Sequence, residues 1–492
     1  MNMRQRSIST DEILKHNRSD DCWIVVENKV WDVTDFAQTH PGGSAVILKC
    51  AGKDATEEYL SVHSPALIGG YLSRDCLKGD LDENTVTETW KAVNSPVEKS
   101  TAMQPPDEKP PLEAILNSYD FEDAAAKFAK QKAFAFYSTA DTDCWTREAN
   151  QKMIKRIWFR PRVMRDVSVV DTSSTIMGNP VDFPLFICPM GLAKLIHPEA
   201  EKGLARGAKA SGIIQIVSSS AAFPLEEIMQ AAPGHPFFFQ LYVNKDRELS
   251  RKALLTAEKL GVKAIFLTVD AAGRGKRESD ERLKFDSAEL ITNPVTGERA
   301  QVDRVGSGLT RLMGRYIDQG ITWEVIDWIR SVTRLPLVLK GVTCAEDVKL
   351  AMQHGVDGIL LSNHGGRNLD FTPPSILLLL EMHKNCPEVF DRMEVYVDGG
   401  FRRGSDILKA LCLGAKAVGV GRTFLYSLNY GTDGVNHLVQ CLRDEMESAM
   451  KLIGVKNLSE LHPGLVNTNN VDHLVPSSAG HPYARRHGPA KL

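Results

Sequence analysis

From about residue 183 onward, short apolar runs recur, each ending in polar residues or glycine and each followed by a helical pattern of apolar and polar positions. They are P-L-F-I-C-P-M from Pro184, I-I-Q-I-V-S-S from Ile213, F-F-F-Q-L-Y-V from Phe237 and A-I-F-L-T-V-D from Ala264. P-L-V-L-K-G-V from Pro336, G-I-L-L-S-N-H from Gly358, E-V-Y-V-D-G-G from Glu394 and A-V-G-V-G-R-T from Ala417 complete the set. Eight such runs with helices between them predict an α/β fold, a (β/α)8 barrel, because parallel strands buried on both faces read as continuous apolar text. Reactive residue types sit at the ends of these runs: Ser218, Gln240, Tyr242, Thr268, Asp270, Lys340, His364, Asp398 and Arg422. Barrels of this kind gather their chemistry at the C-terminal ends of the strands.

The interval between the fourth and fifth runs, residues 271–322, is long, charged and Gly-rich. An insertion of that length over a barrel mouth is an active-site lid or a disordered loop, and a mobile lid is the reading favoured here. Upstream, residues 22–36 alternate around a polar turn, Glu27-Asn28-Lys29, as a hairpin does. A compact domain over 1–81 follows from this, then a polar, acidic and Pro-rich linker over 82–111. The barrel domain takes 112–468 and a tail takes 469–492.

A length of 492 residues exceeds one ordinary core and suits a small domain joined to a barrel-sized one. Hydrophobic residues at 43%, charged residues at 25% and a formal net charge of -3 describe a soluble globular protein and give no footprint for nucleic acid. The nine cysteines are scattered and form no C-x-x-C, which argues against a disulfide framework, a zinc site or covalently attached haem. A reducing compartment fits that usage. No apolar run approaches the roughly 18 residues of a spanning helix, so no membrane partner is expected. Residues 1–10 lack the apolar core of a signal peptide. The chain ends Ala490-Lys491-Leu492 behind a basic segment, close to the S-K-L peroxisomal address. Peroxisomal import is the expectation, with the cytoplasm as alternative.

After the sixth run, L-S-N-H-G-G-R sets His364 and Arg367 three residues apart, a base and a carboxylate clamp suited to oxidising a 2-hydroxy acid. Asp398-Gly399-Gly400-Phe401-Arg402 and Gly419-Val420-Gly421-Arg422 follow the seventh and eighth runs. Glycines let backbone N–H groups approach an anion, arginines neutralise it, and barrels place phosphate here; tight turns alone would also use the glycines. No G-x-G-x-x-G opens a Rossmann unit, which points to a mononucleotide such as FMN. His40, followed by Pro41-Gly42-Gly43, and His63 are 23 residues apart. Two imidazoles can hold haem iron from opposite sides, and the plain alternative is two surface histidines beside turns.

Taken with the 22–36 hairpin and A-G-K-D-A-T-E-E-Y from Ala51, the H-P-G-G block resembles a cytochrome b5 domain over about eighty residues, a small α+β fold. That resemblance implies non-covalent haem b with His40 and His63 as axial ligands. The motifs S-N-H-G-G-R-x-L-D, V-D-G-G-x-R-R-G-x-D and Q-L-Y-V-N resemble the FMN-dependent 2-hydroxy acid dehydrogenase and oxidase family from about residue 112 to 463. The resemblance implies His364 as base, Asp270 as its carboxylate partner, Arg367 as clamp, Arg277 as a mobile second arginine and Tyr242 as a hydroxyl donor to substrate. It also implies flavin contacts from Pro189, Met190, Gly191, Ser218, Gln240, Thr268, Lys340 and Ser362. Phosphate and ribityl contacts are implied for Asp398, Gly399, Gly400, Arg402, Gly421 and Arg422.

Three positions depart from the family. Phe136 replaces the first of two tyrosines in A-F-A-F-Y-S-T-A, with Tyr137 the second, so one hydroxyl on the substrate carboxylate is missing. Gly191 and Ser220 stand where the lactate-oxidising members carry Ala and Leu, which predicts a roomier, more polar pocket and a 2-hydroxy acid larger than lactate. The expected reaction gives a 2-oxo acid, with electrons leaving FMN for the haem and then an acceptor such as cytochrome c. The alternative is an oxidase that reduces dioxygen to peroxide. A homotetramer is what the resemblance implies.

Overall fold

The computed structural model describes residues 6–40, 43–63, 67–87, 90, 108–284 and 308–477. The chain divides into two compact units, Met1–Glu108 and Lys109–Leu492. In the first, strands Asp21–Val26 and Lys29–Asp32 pair antiparallel around Glu27 and Asn28, whose φ values of 50° and 61° suit a two-residue hairpin turn. Lys29, expected in the turn, begins the returning strand opposite Val26. Leu77–Leu81 joins the sheet antiparallel to Lys29–Asp32, and Ser7–Ile8 runs parallel to Leu77–Leu81. Alternation then sorts the side chains into two cores. Cys22, Ile24, Val26 and Trp31 pack on one face, Val25 and Val30 with Ile8, Ile13 and Leu81 on the other.

Packing of this unit carries past Leu81. The Thr10 amide donates to Thr85 Oγ1 at 3.0 Å, the Thr10 hydroxyl donates to the Thr85 carbonyl at 2.8 Å, and Trp90 is buried. The first seven residues or so of the expected linker therefore belong to the folded unit, while 91–107 lie outside the described residues. So do Pro41 and Gly42 of the H-P-G-G turn, the centre of the expected lid at 285–307, and the terminal 490–492.

In the second unit the eight apolar runs are the eight strands of a closed parallel barrel. They are Leu185–Ile187, Ile214–Ser218, Phe237–Leu241, Ala264–Thr268, Leu337–Val342, Gly358–Leu361, Glu394–Asp398 and Ala417–Val420. The eighth closes on the first, with Leu185 opposite Val418. One side-chain set, including Phe186, Phe238, Phe266, Val338, Leu360 and Tyr396, forms its own buried cluster and the other packs into the larger core. The barrel is thus a filled core whose working surface is its C-terminal rim.

Three helices precede the barrel: Ser118–Phe128, opened by a capping box between Asn117 and Asp120, then Gln131–Ser138 and Trp145–Lys155. They bring Phe136, Tyr137 and Arg147 to the rim. The described ends of the 271–322 insertion are also ordered into helices, Glu278–Arg282 and Leu309–Gly314.

Candidate active site

His364 follows the sixth barrel strand in the left-handed region, with φ 56°, and its amide donates to Ser362 Oγ at 3.0 Å. This unusual backbone turns the imidazole toward the fourth strand. There its Nδ1 lies 2.9 and 3.1 Å from the two carboxylate oxygens of Asp270. With Nδ1–H given to the carboxylate, Nε2 is left as the basic nitrogen, 3.5 Å from the Tyr242 hydroxyl. Burial pushes the His364 pKa below its ordinary value, against the pull of Asp270 and assisted by the Lys340 and Arg277 charges. Burial opposes ionisation of Asp270, but His364 and Lys340 outweigh it and hold its pKa low. The pair is set as a neutral base on a fixed carboxylate. Gly341 makes the closeness possible: at φ 108° it lacks a Cβ that would stand 2.5 Å from Asp270 Cγ.

Arg367 donates to the carbonyls of Tyr137 at 2.9 Å and Thr139 at 3.1 Å, while Arg277 is buried with no hydrogen-bond partner for Nε. Neither has an ion-pair partner among the described residues. Their guanidinium carbons both lie over the Phe136 ring, 5.2 Å (Arg367) and 5.6 Å (Arg277) from its centre. Burial pushes Arg367 down to about 9, with repulsion from Arg277 next in size. Burial likewise takes Arg277 to about 10. A guanidinium keeps its proton in proteins, so two buried cations without acidic partners among the described residues suit an anion such as a carboxylate. Tyr137 spends its hydroxyl on the Gly191 carbonyl at 2.8 Å, leaving Phe136 without a compensating donor there.

Ser218, Gln240 and Thr268 form a buried chain across the ends of the second to fourth strands, with bonds of 3.1 Å (Ser218 to Gln240) and 2.8 Å (Gln240 to Thr268). Lys340, buried at the fifth, lies 3.4 Å from Ser362 Oγ and 3.9 Å from Asp398. Burial works against its charge, but Asp270 and Asp398 more than offset this and raise its pKa. Asp398 accepts from Cys188 Sγ on one oxygen, and its other oxygen is buried without a partner. Gly400, at φ 88°, presses on Asn150, where a Cβ would come within 2.7 Å. Pro189, Met190, Gly191, Gly399 and Gly421 line the same cleft, which encloses about 1510 Å³ including its open mouth.

The two expected phosphate arginines differ. Arg422 donates to the carbonyls of Tyr137, Thr139 and Gly365, has no carboxylate partner among the described residues, and is pushed down to about 9 by burial and then by Arg367. Arg402 also lines the cleft, and it pairs with Glu122 at 2.5 Å and donates to Ser118. An orphaned Asp398 oxygen, Arg422 and open glycine backbone together fit a ribityl phosphate, and the Ser218–Gln240–Thr268 chain with Lys340 fits a ring rich in polar atoms.

Sequence reasoning missed Arg274, Thr310, Met313 and Ile317, which line the cleft from the 271–322 insertion, and Glu122, Arg147 and Gln151 from the preceding helices. No motif marks them. Only the fold brings these segments to the rim.

In the first unit, the His40 and His63 rings lie 6.2 Å apart, centre to centre, at 84°. An ion bound at about 2 Å to one nitrogen of each ring would space the centres by about 6 Å, so the spacing would suit a single metal ion held between the two. Among the described residues no group of three or more His, Cys, Asp or Glu could hold a bare ion. A macrocycle supplying its own equatorial nitrogens is what two imidazoles fit. Phe36 lies edge-on to His40 at 5.7 Å and Tyr59 lies 5.1 Å from His63, ring centre to ring centre.

A barrel rim that pairs a neutral base with unpaired carboxylate clamps and a flavin phosphate cradle is that of a flavin-dependent 2-hydroxy acid oxidoreductase. The comparisons carry this to the family. The sequence pattern of the FMN-dependent dehydrogenases matches residues 125–468, and that of the cytochrome b5-like haem/steroid binding domain matches 9–82. This chain belongs to the FMN-dependent dehydrogenase family, with a cytochrome b5-like domain in front, and its cofactors are FMN and haem. It is 38% identical over 484 residues to L-lactate dehydrogenase (cytochrome) of Wickerhamomyces anomalus, covering 97% of this chain and 83% of that protein. The Saccharomyces cerevisiae protein of the same name is 40% identical, covering 96% and 81%. A single-residue variant of flavocytochrome b2 with benzoylformate superposes with a TM-score of 0.67 at 39% identity, over 78% of this chain and 94% of that one.

Proposed function

We propose that the barrel oxidises an L-2-hydroxy acid to its 2-oxo acid, and that the electrons leave through the haem domain to an external acceptor such as cytochrome c. When bound, FMN supplies the two-electron acceptor and haem the one-electron outlet. The chain's own residues do the rest. Arg367 and Arg277 take the substrate carboxylate, which supplies the anion their burial calls for. That fixes the 2-hydroxyl against His364 Nε2, which accepts its proton, and the resulting imidazolium is stabilised through Nδ1–H by Asp270. Tyr242, whose pKa is raised by burial, keeps its hydroxyl proton and is positioned to hydrogen-bond the substrate oxygen. Lys340 is a fixed buried cation beside the flavin site.

The observation that carries this reading is the His364–Asp270 pair opening onto two buried arginines that lack carboxylate partners. Replacing His364 by Gln tests it. Loss of general-base catalysis should lower the rate of flavin reduction by about 10²–10⁴-fold while FMN stays bound. Retention of the wild-type rate would refute the assignment.

A substrate larger than lactate is proposed from the small residues Gly191 and Ser220, which line the cleft. A relative that holds benzoylformate supports the same direction, since its barrel takes an aromatic 2-oxo acid. A homotetramer is proposed from the family resemblance and is checked by light scattering. Peroxisomal targeting is proposed from the terminal tripeptide alone, and nothing in the relatives' names adds to it. Deleting residues 490–492 from a fluorescent fusion tests it.

A further inference from the structure

Beyond the groups that meet C1 and C2 of a 2-hydroxy acid and those placed at the flavin phosphate, the cleft holds a further arginine. Arg274 lies on the same loop, between Asp270 and Arg277, and lines the cleft. One nitrogen donates to the Arg311 carbonyl at 2.7 Å, and no carboxylate pairs with it among the described residues. The neighbouring carboxylates are taken: Glu281 by Arg311, and Asp280 by Lys132. Burial lowers the Arg274 pKa, and the next influence is repulsion from Arg315 rather than attraction to an acid.

Its neighbours make this end of the cleft polar. The Arg274 guanidinium rests on Gly314, where any Cβ would collide with it. Met313, one residue before, faces Gly191, and Gly191 faces Ser220. Ser220 Oγ is 2.7 Å from the Tyr316 hydroxyl. Thr310, on the same short helix as Met313, has its hydroxyl buried without a partner and also lines the cleft. A wall shaped for a methyl or phenyl group would leave a cation desolvated against hydrocarbon, which is costly. A second anion would satisfy it.

We infer that the cleft selects 2-hydroxy acids whose side chain ends in a second carboxylate, with Arg274 as the group that receives it. The inference rests on the proposed 2-hydroxy acid oxidation and names its substrate class. The C1 carboxylate goes to Arg367 and Arg277, the hydroxyl to His364, and the distal carboxylate to Arg274, with Met313 and Ile317 beside the intervening methylenes. Chemistry at C2 is unchanged: two electrons pass to the flavin and the hydroxyl proton to His364.

The test is anaerobic flavin reduction by the full-length holoenzyme with matched pairs: (S)-2-hydroxysuccinate against (S)-2-hydroxybutanoate, (S)-2-hydroxyglutarate against (S)-2-hydroxypentanoate, with L-lactate and (S)-mandelate alongside. The expected result is a kcat/KM at least about tenfold higher for one diacid than for its neutral partner, carried mainly by KM, as a charge-assisted contact made in ground and transition states gives. Arg274→Leu should collapse that ratio by about tenfold or more and Arg274→Lys should restore part of it. Neutral acids or mandelate outperforming both diacids in the wild-type protein would overturn the inference, as would an unchanged ratio in Arg274→Leu. Reduction by lactate but by neither diacid defeats this inference alone. Failure of every acid to reduce the flavin defeats the oxidation reading and this inference with it.

Discussion

At the scale of single residues, the account turns on an imidazole whose state is set by its surroundings. Burial lowers the His364 pKa beneath its ordinary value of 6.5, with Lys340 and Arg277 acting in the same sense and Asp270 opposing. The base works only when neutral, so lowering the pKa extends activity to more acid solution. kcat/KM should reach half its plateau only below pH 6.5, as His364 takes up a proton. A profile already halved above pH 7 would contradict that environment. The same residues show what a sequence makes legible. His364, Arg367 and Asp270 stand in long motifs at strand ends, where residue type alone exposes them. Arg402 stands in an equally good motif, but its ion pair with Glu122 spans 280 residues and has no local signature. Arg274 carries no motif, and only the packing of Gly314 and Met313 shows where it belongs.

At the scale of elements, the strands were readable because parallel strands buried on both faces leave no polar alternation to confuse with a helix. All eight apolar runs are barrel strands, and the register brings Thr268 beside Lys340 and Ser218 beside Gln240. Of the helices before the barrel only Gln131–Ser138 was readable as a site element, through Phe136 and Tyr137. Asn150, on one of them, bonds Asn363 from across 213 residues, a pairing without local signature. One strand carries a special demand. The fifth shifts register between Lys340 and Val342, and Gly341 sits in the irregularity at positive φ against Asp270. Gly341→Ala should lower stability by about 1–2 kcal/mol from the left-handed backbone alone. It should also push Asp270 away from His364 and reduce kcat at least about tenfold. Thermal melts and turnover measured on one preparation check this. A variant with wild-type kcat would show that the carboxylate does not need its present place.

At the scale of the whole molecule, two units each carry a redox site of a different kind. The barrel takes electrons two at a time, and the haem of the cytochrome b5-like unit, for which we propose His40 and His63 as ligands, passes them singly. Joining both on one chain suits a relay better than peroxide formation, for which the haem unit would be superfluous. The most direct measurement is an anaerobic stopped-flow record of the full-length holoenzyme at flavin and haem wavelengths after mixing with a 2-hydroxy acid. The account predicts flavin bleaching first, then full haem reduction at a rate fast enough to support turnover with cytochrome c. A bleached flavin beside a haem that stays oxidised, with peroxide appearing once air is admitted, would contradict it.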